Sequence, residues 1–323
     1  MLVLIAKRLA AALVVLWVVA TAVFFALRAA GDPLEAILGG PGSQASQETV
    51  DKAIADYGLD QPLVIQYGQQ LWRIITVQFG DSYARRLPVA DLLGGQVPST
   101  ATLVVTSLVT AWVLALGIAI TTTQLSTRSR LGRAGATVLR GLELVSSVTP
   151  QFWLGAVLIS AFAAGLGWLP ATSAGNSADA LILPTLTLAI PTAGYLGQVL
   201  REGLATARQA PYALTARARG AGETRVLLQH CLRPASGPAL ALTGWAFGSL
   251  LSGSVVVESL FGRPGLGRAL LEATSLGDVP VVIGGVLIGA LGYIFIMLVT
   301  DLLEYWINPA VARARAGGQV VAL

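Results

Sequence analysis

Charge is what this 323-residue chain has least of: Asp, Glu, Lys and Arg make up only 12% of it. Soluble domains carry roughly 25%. A soluble fold of this length would need a charged surface, and the few charges here fall in clusters separated by long uncharged stretches. That pattern excludes an ordinary soluble domain and marks a membrane protein. Cysteine and histidine are nearly absent too, with Cys231 and His230 the single examples. One cysteine forms no internal disulfide, and one Cys beside one His cannot complete a structural zinc site of four N/S ligands. Lysine occurs only as Lys7 and Lys52. Neither stands in a Gly-x4-Gly-Lys-Ser/Thr phosphate-binding loop. The pair Ser252-Gly-Ser254 sits in an apolar stretch while His230 sits in a basic one, so no Ser–His catalytic pairing is available. No catalytic, cofactor-binding or metal-binding constellation is legible.

What is present is apolar length. More than half of the residues are hydrophobic and the mean hydropathy is +0.71. Crossing a bilayer takes about 20 residues, and six segments qualify. The first is Leu9 to Leu27, behind Lys7 and Arg8. Its apolar run exceeds that of a signal peptide, so it reads as a retained anchor. The second lies between Val97 and Thr123, the third from about Ala134 to Gly165, and the fourth from Ala180 to Leu200. The fifth runs from Ala235 to Val257 and the sixth from Val279 to Thr300. Pro150 falls inside the third, and Pro184 and Pro191 inside the fourth. A proline frees a carbonyl and bends a helix, which lipid tolerates only where neighbours satisfy the freed group. These two spans are therefore expected inside a bundle. With the N-terminus inside, cytoplasmic segments hold 14 of the 21 basic residues. The positive-inside rule favours that topology, and six spans return the C-terminus to the same side. The net charge of +4 follows from this loop bias and does not point to nucleic acid.

Two loops are long enough to fold. In the outer one, from Arg28 to Gln96, Val50, Ile54 and Tyr57 recur at helical spacing up to Gly58, a helix stop. Pro62 suits the start of a second helix, with Leu63, Tyr67, Leu71 and Ile74 on one face. A packing cap and a docking surface are both compatible with this pattern. The inner loop, Glu202 to Pro234, is basic and rich in Ala and Gly. Within Pro211–Gly222, the small side chains of Thr215, Ala216 and Ala218 would let a partner approach closely. Gly220 and Gly222 would end a short helix. A helix held between two spans can act as a lever on both. An ordinary positive-inside loop is the plainer alternative. In the fifth span, Ser249 and Ser252 share a face, which suits either close helix packing or a solute path. Glu143, Glu258, Asp301 and Glu304 lie near span ends, and Glu258 is placed where it could meet a solute amino group.

The inner loop resembles the cytoplasmic motif of ATP-binding-cassette importer permeases, Glu-Ala-Ala, three residues, then Gly. Here Leu214-Thr-Ala216 is followed by Gly220, with Leu214 in place of the acid. The stretch Thr215-Ala-Arg-Ala-Arg-Gly220 with Val226-Leu-Leu-Gln-His-Cys-Leu-Arg233 is similar to the dipeptide/oligopeptide/nickel branch. So are Lys7-Arg-Leu, Gly31-Asp-Pro33, Tyr57-Gly-Leu-Asp-Gln-Pro62, Val97-Pro-Ser-Thr100, Val257-Glu-Ser-Leu-Phe261 and Pro264-Gly-Leu-Gly267. Phe79-Gly-Asp-Ser82 and Asn308-Pro-Ala-Val311 are imperfect copies of branch motifs.

The resemblance implies an all-α membrane protein with six transmembrane helices, the type I importer permease fold and cytoplasmic termini. Residues 1–28 would be the N-terminal end and first span, and 29–96 the extracytoplasmic loop. Residues 97–307 would be the permease core with the coupling loop 202–234, and 308–323 a cytoplasmic tail. It implies a non-enzymatic translocation subunit of a peptide importer in the bacterial plasma membrane, working with a second permease. Two ATPase subunits would bind ATP and Mg, and an extracytoplasmic binding protein would deliver solute. Leu214, Thr215, Ala216, Arg217, Arg219, Gly220, Gly222 and Glu223 would form the coupling loop. Ser249, Ser252, Glu258, Phe261, Pro264 and Gly265 would meet the pathway or the binding protein. Nickel import by the same machinery, or an ion-coupled carrier, are the alternatives. A carrier would place ionisable residues deep in the membrane, and a mere scaffold subunit would have uniformly apolar spans.

Overall fold

The computed structural model describes residues 2–30, 34, 37–38, 46–76, 78–174 and 177–307. The Gly31-Asp-Pro33 and Asn308-Pro-Ala-Val311 motifs and the tail 308–323 lie outside them. Among the described residues the backbone is helical almost throughout, with one isolated extended bridge, Asp81 to Pro88. The chain forms two compact units, residues 1–101 with 264–294, and residues 102–263 with 295–323.

The first unit begins with α1 (Leu2–Ala30), one unbroken helix over the first apolar segment. Helix α2 (Gln47–Tyr57) starts where Ser46 Oγ accepts from the Thr49 amide at 3.3 Å and stops at Gly58, whose φ of +64° is open to glycine. Helix α3 (Leu63–Ile75) follows Pro62. Tyr67, Leu71 and Ile74 turn inward as their spacing predicts, but Leu63 is 51% exposed because it precedes the first packed turn. Helix α4 (Val89–Gly94) buries Val89 and Leu93 against residues 266–282, with Phe79 alongside. Helix α13 (Leu266–Ser275) and the first half of α14 (Val279–Ile307) complete this core.

The second unit is arranged around α8 (Ala178–Ala207). This helix is 72% buried over its most apolar window, against 33% for Val89–Ser126 and Val279–Glu304. These three helices are long and apolar enough to cross a membrane. The remaining elements are α5 (Val97–Arg128), α6 (Arg130–Val148), α7 (Gln151–Leu158), α9 (Pro211–Ala218), α10 (Glu223–Arg225), α11 (Leu232–Ala241) and α12 (Thr243–Leu260). Helix α7 continues as a π-helical segment, Ile159–Gly165, and a second one, Val226–Cys231, joins α10 to α11. Such turns often stand at functional places.

The third apolar segment is not one straight span. Helix α6 meets α7 at 111°, because Thr149 and Pro150 are both extended (ψ 125° and 132°) and a proline drives the residue before it out of helical geometry. Pro184 and Pro191 do not break α8, which runs on for 30 residues between packed neighbours. The fifth segment also bends, by 48°, where α11 passes into α12.

Small residues set the packing of this unit. A Cβ on Gly194 would lie 2.7 Å from the Glu143 carbonyl oxygen and 2.9 Å from the Ser147 amide, and one on Gly203 would lie 2.6 Å from the Ala235 carbonyl oxygen. Only glycine lets α8 approach α6 and α11 so closely.

Candidate functional site: the loop between helices α8 and α11

Helix α9 begins at Pro211, whose fixed φ and missing amide suit the first helical position. It is short because Gly220 follows in the left-handed region at φ +84°. Gly222, at φ −66°, instead caps the start of α10. The sequence expectation that both glycines stop the helix therefore holds for Gly220 only. Ala213 (0% exposed) and Ala216 (8%) seat α9 against Leu200, Leu204, Val226, Cys231 and Ala235. Ala216 thus faces inward, contrary to its expected place on a partner-facing surface, because it lies one turn from Ala213 on the same side. Leu214, Thr215, Ala218 and Arg219 face outward beside Tyr212. Thr215 Oγ1 donates to the Pro211 carbonyl at 2.9 Å, leaving a compact face.

Arginines tie this loop together. Arg217 Nε and Arg208 Nη2 donate to the two oxygens of Glu223 at 2.6 and 2.9 Å, and Arg217 Nη1 donates to the Arg208 carbonyl at 2.9 Å. The hydrogen bond from Arg217, helped by Arg208, holds the Glu223 carboxyl below its ordinary value although burial opposes this. Glu223 raises Arg217 in return. The end of α8, α9 and the start of α10 are thus held as one block by buried alanines on one side and ion pairs on the other.

The remaining predicted site residues do not gather with this loop. Ser249 is half-buried and Ser252 exposed on α12. Glu258 and Phe261 are fully buried. Glu258, expected to meet a solute, has an enclosed carboxylate within electrostatic reach of Arg263. Arg263, 7% exposed, donates to Ser173 Oγ at 2.9 Å, and the Ser173 amide donates to the Phe261 carbonyl at 2.7 Å. Pro264 is exposed and Gly265 buried, both in the other compact unit.

Two polar arrangements escaped sequence reasoning. Glu143 on α6 is 1% exposed and pairs with Arg201 Nε at 3.0 Å. Its second oxygen is buried without a hydrogen-bond partner among the described residues. In the first unit the Asp278 carboxylate accepts from Ser82 Oγ, from the Tyr83 amide at 3.1 Å and from the Ala84 amide at 3.3 Å. This explains the Phe79-Gly-Asp-Ser82 stretch: it forms a turn, with Gly80 at φ +75°, that delivers Ser82 to Asp278. The two residues stand 196 positions apart, and nothing in the sequence links them.

Residues 115–313 match the family described as binding-protein-dependent transport system inner membrane component. Residues 1–106 match the N-terminal part of such membrane components. The chain is 36% identical over 307 residues to the glutathione transport system permease protein GsiC of Salmonella choleraesuis (strain SC-B67), covering 94% of this chain and 97% of that protein. It is 36% identical over 308 residues to GsiC of Escherichia coli (strain K12). Among solved structures it is similar in fold to one described as the crystal structure of an amino acid ABC transporter with histidines. The TM-score is 0.52 at 18% identity, over 67% of this chain and 94% of that one.

Proposed function

The chain belongs to the binding-protein-dependent transport system inner membrane component family, and is the permease component of an ATP-driven importer; from that premise we propose that it carries peptide-like solutes. Small peptides of the size and polarity of glutathione are the first candidates, since the most similar proteins cited above are glutathione permeases. It works with a second permease, two ATPase subunits that bind ATP and Mg, and an extracytoplasmic binding protein. It crosses the bacterial inner membrane six times, with both termini inside, the third crossing being the bent α6–α7 pair. Residues 29–96 form the outer loop, 97–307 the pathway core, and 308–323 the inner tail.

The observation that carries this reading is the build of the 202–234 loop. An ATPase that closes on nucleotide can do work on the spans only through a rigid element, and a mobile loop would absorb the motion. Helix α9 is anchored through buried Ala213 and Ala216 to α8 and to the π-helical segment leading into α11, so a push on Leu214, Thr215 or Arg219 is passed to both. Ser249 and Ser252 on α12 are candidates to face solute, and Pro264 is an exposed candidate for binding-protein contact.

The test is ATP-dependent uptake into vesicles holding this chain with its three kinds of partner. Labelled glutathione, dipeptides, longer peptides and nickel are offered in turn. Peptide uptake that is lost in Gly220→Trp, a position at φ +84° where any side chain is strained, with ATPase subunits still hydrolysing ATP, supports the solute and the coupling loop together. Nickel uptake alone keeps the mechanism and replaces the solute. Uptake that follows an ion gradient without the ATPases overturns the reading.

A further inference from the structure

Helix α3 presents three sectors around its axis, and among the described residues only two of them are accounted for. The first is packed. Tyr67 sits 5.5 Å from the Phe24 ring and 5.9 Å from Phe25, with its hydroxyl 2.7 Å from Thr21 Oγ1. Leu71 and Ile74 pack in the cluster of Ala20, Ile283 and Leu287, with Leu16 and Val23 beside them. The second sector is polar: Gln66 accepts from Arg28 and donates to the Gln61 carbonyl at 2.7 Å, Gln69 donates to the Gln61 side chain at 2.9 Å, and Arg73 continues this side. The third sector carries Val64 (80% exposed), Gly68, Trp72 (66%) and Ile75 (73%), spaced at four, four and three residues, and it is bare. Ile65, 49% exposed, borders it.

A helix with adjoining packed, bare apolar and polar sides suits a boundary between oil and water. The depth at which it sits agrees. Its inward residues meet α1 around residues 20–25, inside the apolar run Ala12–Ala26. At 1.5 Å per residue, Ala20 lies about 9 Å below the end of that run. This matches the roughly 5–10 Å to which a surface-bound amphipathic helix sinks its apolar face. The polar side, with Arg28 and the glutamines, lies toward the end of α1, where the run gives way to charge. Trp72 is the residue type that concentrates at such boundaries. A protein partner arriving from the aqueous side would meet the glutamines and Arg73, not the bare stripe.

We propose that α3 is a lipid-facing helix in the outer leaflet, lying along the membrane surface with the Val64–Gly68–Trp72–Ile75 stripe against the acyl chains. It thereby anchors the outer loop to the membrane beside α1. The proposal rests on the topology given above, in which α1 crosses the membrane and ends outside.

The chain has a single cysteine, buried Cys231, so Cys231→Ser provides a background for single spin labels in the complete transporter in lipid vesicles. Labels replace Val64, Trp72 and Ile75 on the stripe, Gln69 on the polar side, and Trp17 on the exposed side of α1 (54% exposed). Collision with oxygen, which concentrates in lipid, is compared with collision with a water-soluble nickel chelate. The expected result is that the stripe positions and Trp17 favour oxygen while Gln69 favours the chelate, in complexes that retain uptake. Stripe positions that favour the chelate overturn the proposal, because the helix then stands in water. Stripe positions shielded from both reagents also overturn it, because a protein partner then covers them. If Trp17 also favours the chelate, the topology beneath the proposal falls with it. A lipid reading at Trp17 with a water reading on the stripe removes the α3 proposal alone.

Discussion

Among the described residues, two of the glutamates that meet arginine at hydrogen-bond distance, Glu143 and Glu223, do different work. Glu143 on α6 reaches Arg201 of α8 at 3.0 Å, and its side chain is wholly covered. Glu223 reaches Arg217 at 2.6 Å and Arg208 at 2.9 Å, yet half of its side chain is exposed. Around Glu143 the neighbours are backbone: Gly194 and Gly197 bring α8 against α6, and Gln198 donates to Ser147 Oγ at 3.1 Å. Around Glu223 the neighbours are the arginines themselves and solvent. A short ion pair therefore says little about its own weight. Exposed pairs contribute about 0.2–1 kcal/mol, whereas stranding a buried charge costs roughly 3–5 kcal/mol. The difference suits the two places. The α6–α8 seam is closed to solvent at Glu143, while the 202–234 loop keeps its charges near water.

The comparison is broken most directly at Arg201. Arg201→Met keeps the stem but strands the Glu143 carboxylate, and should lower stability by about 3–5 kcal/mol in SDS unfolding titrations in mixed micelles. Adding Glu143→Met should recover most of that loss, since two apolar groups need no partner. A double variant as weak as the single one would show that the seam depends on the charges and not on their pairing. Gly194→Ala comes next. Its methyl meets backbone atoms that cannot rotate away, so the expected cost is about 1–3 kcal/mol by the same titration. An unchanged midpoint would mean that α6 is free to shift. Glu223→Gln should cost less than about 1 kcal/mol while weakening ATP-driven uptake more than folding, read as uptake per ATP hydrolysed. The smallest effect is acid dependence. The Glu223 carboxyl is lowered in the folded chain, so its contribution is present above the unfolded carboxylate value of about 4.3. It is lost as pH falls through the lower folded value. Unfolding titrations from pH 6 to 3 should show a slight extra loss in the parent chain that is absent in Glu223→Gln.

Much of this architecture could be read from residue order. The helix ending at Gly58, the one beginning after Pro62 and the short helix ended by Gly220 each follow from a local rule of glycine or proline conformation, which acts within a turn or two. The inward set Tyr67, Leu71 and Ile74 follows from helical spacing. Proline was less decisive. Pro150 breaks its segment and Pro184 and Pro191 do not, although all three stand in apolar runs. A proline removes one hydrogen bond and clashes with one carbonyl, and whether the helix continues depends on the packing that offsets this cost.

Residue order by itself determined the membrane class, the apolar segments, the loop bias in charge and the small motifs of the 202–234 loop. Each is a property of composition or of contacts a few residues apart. Only the tertiary structure decided that Glu143 and Glu258 are enclosed, that Ala216 supports α9 from within, and that Ser82 and Asp278 meet across 196 residues. It also decided that the Val64–Ile75 side of α3 is left bare. Burial is a relation between distant segments: an acid at the end of an apolar run is exposed or enclosed according to which helix lies over it, and that helix is encoded elsewhere in the chain.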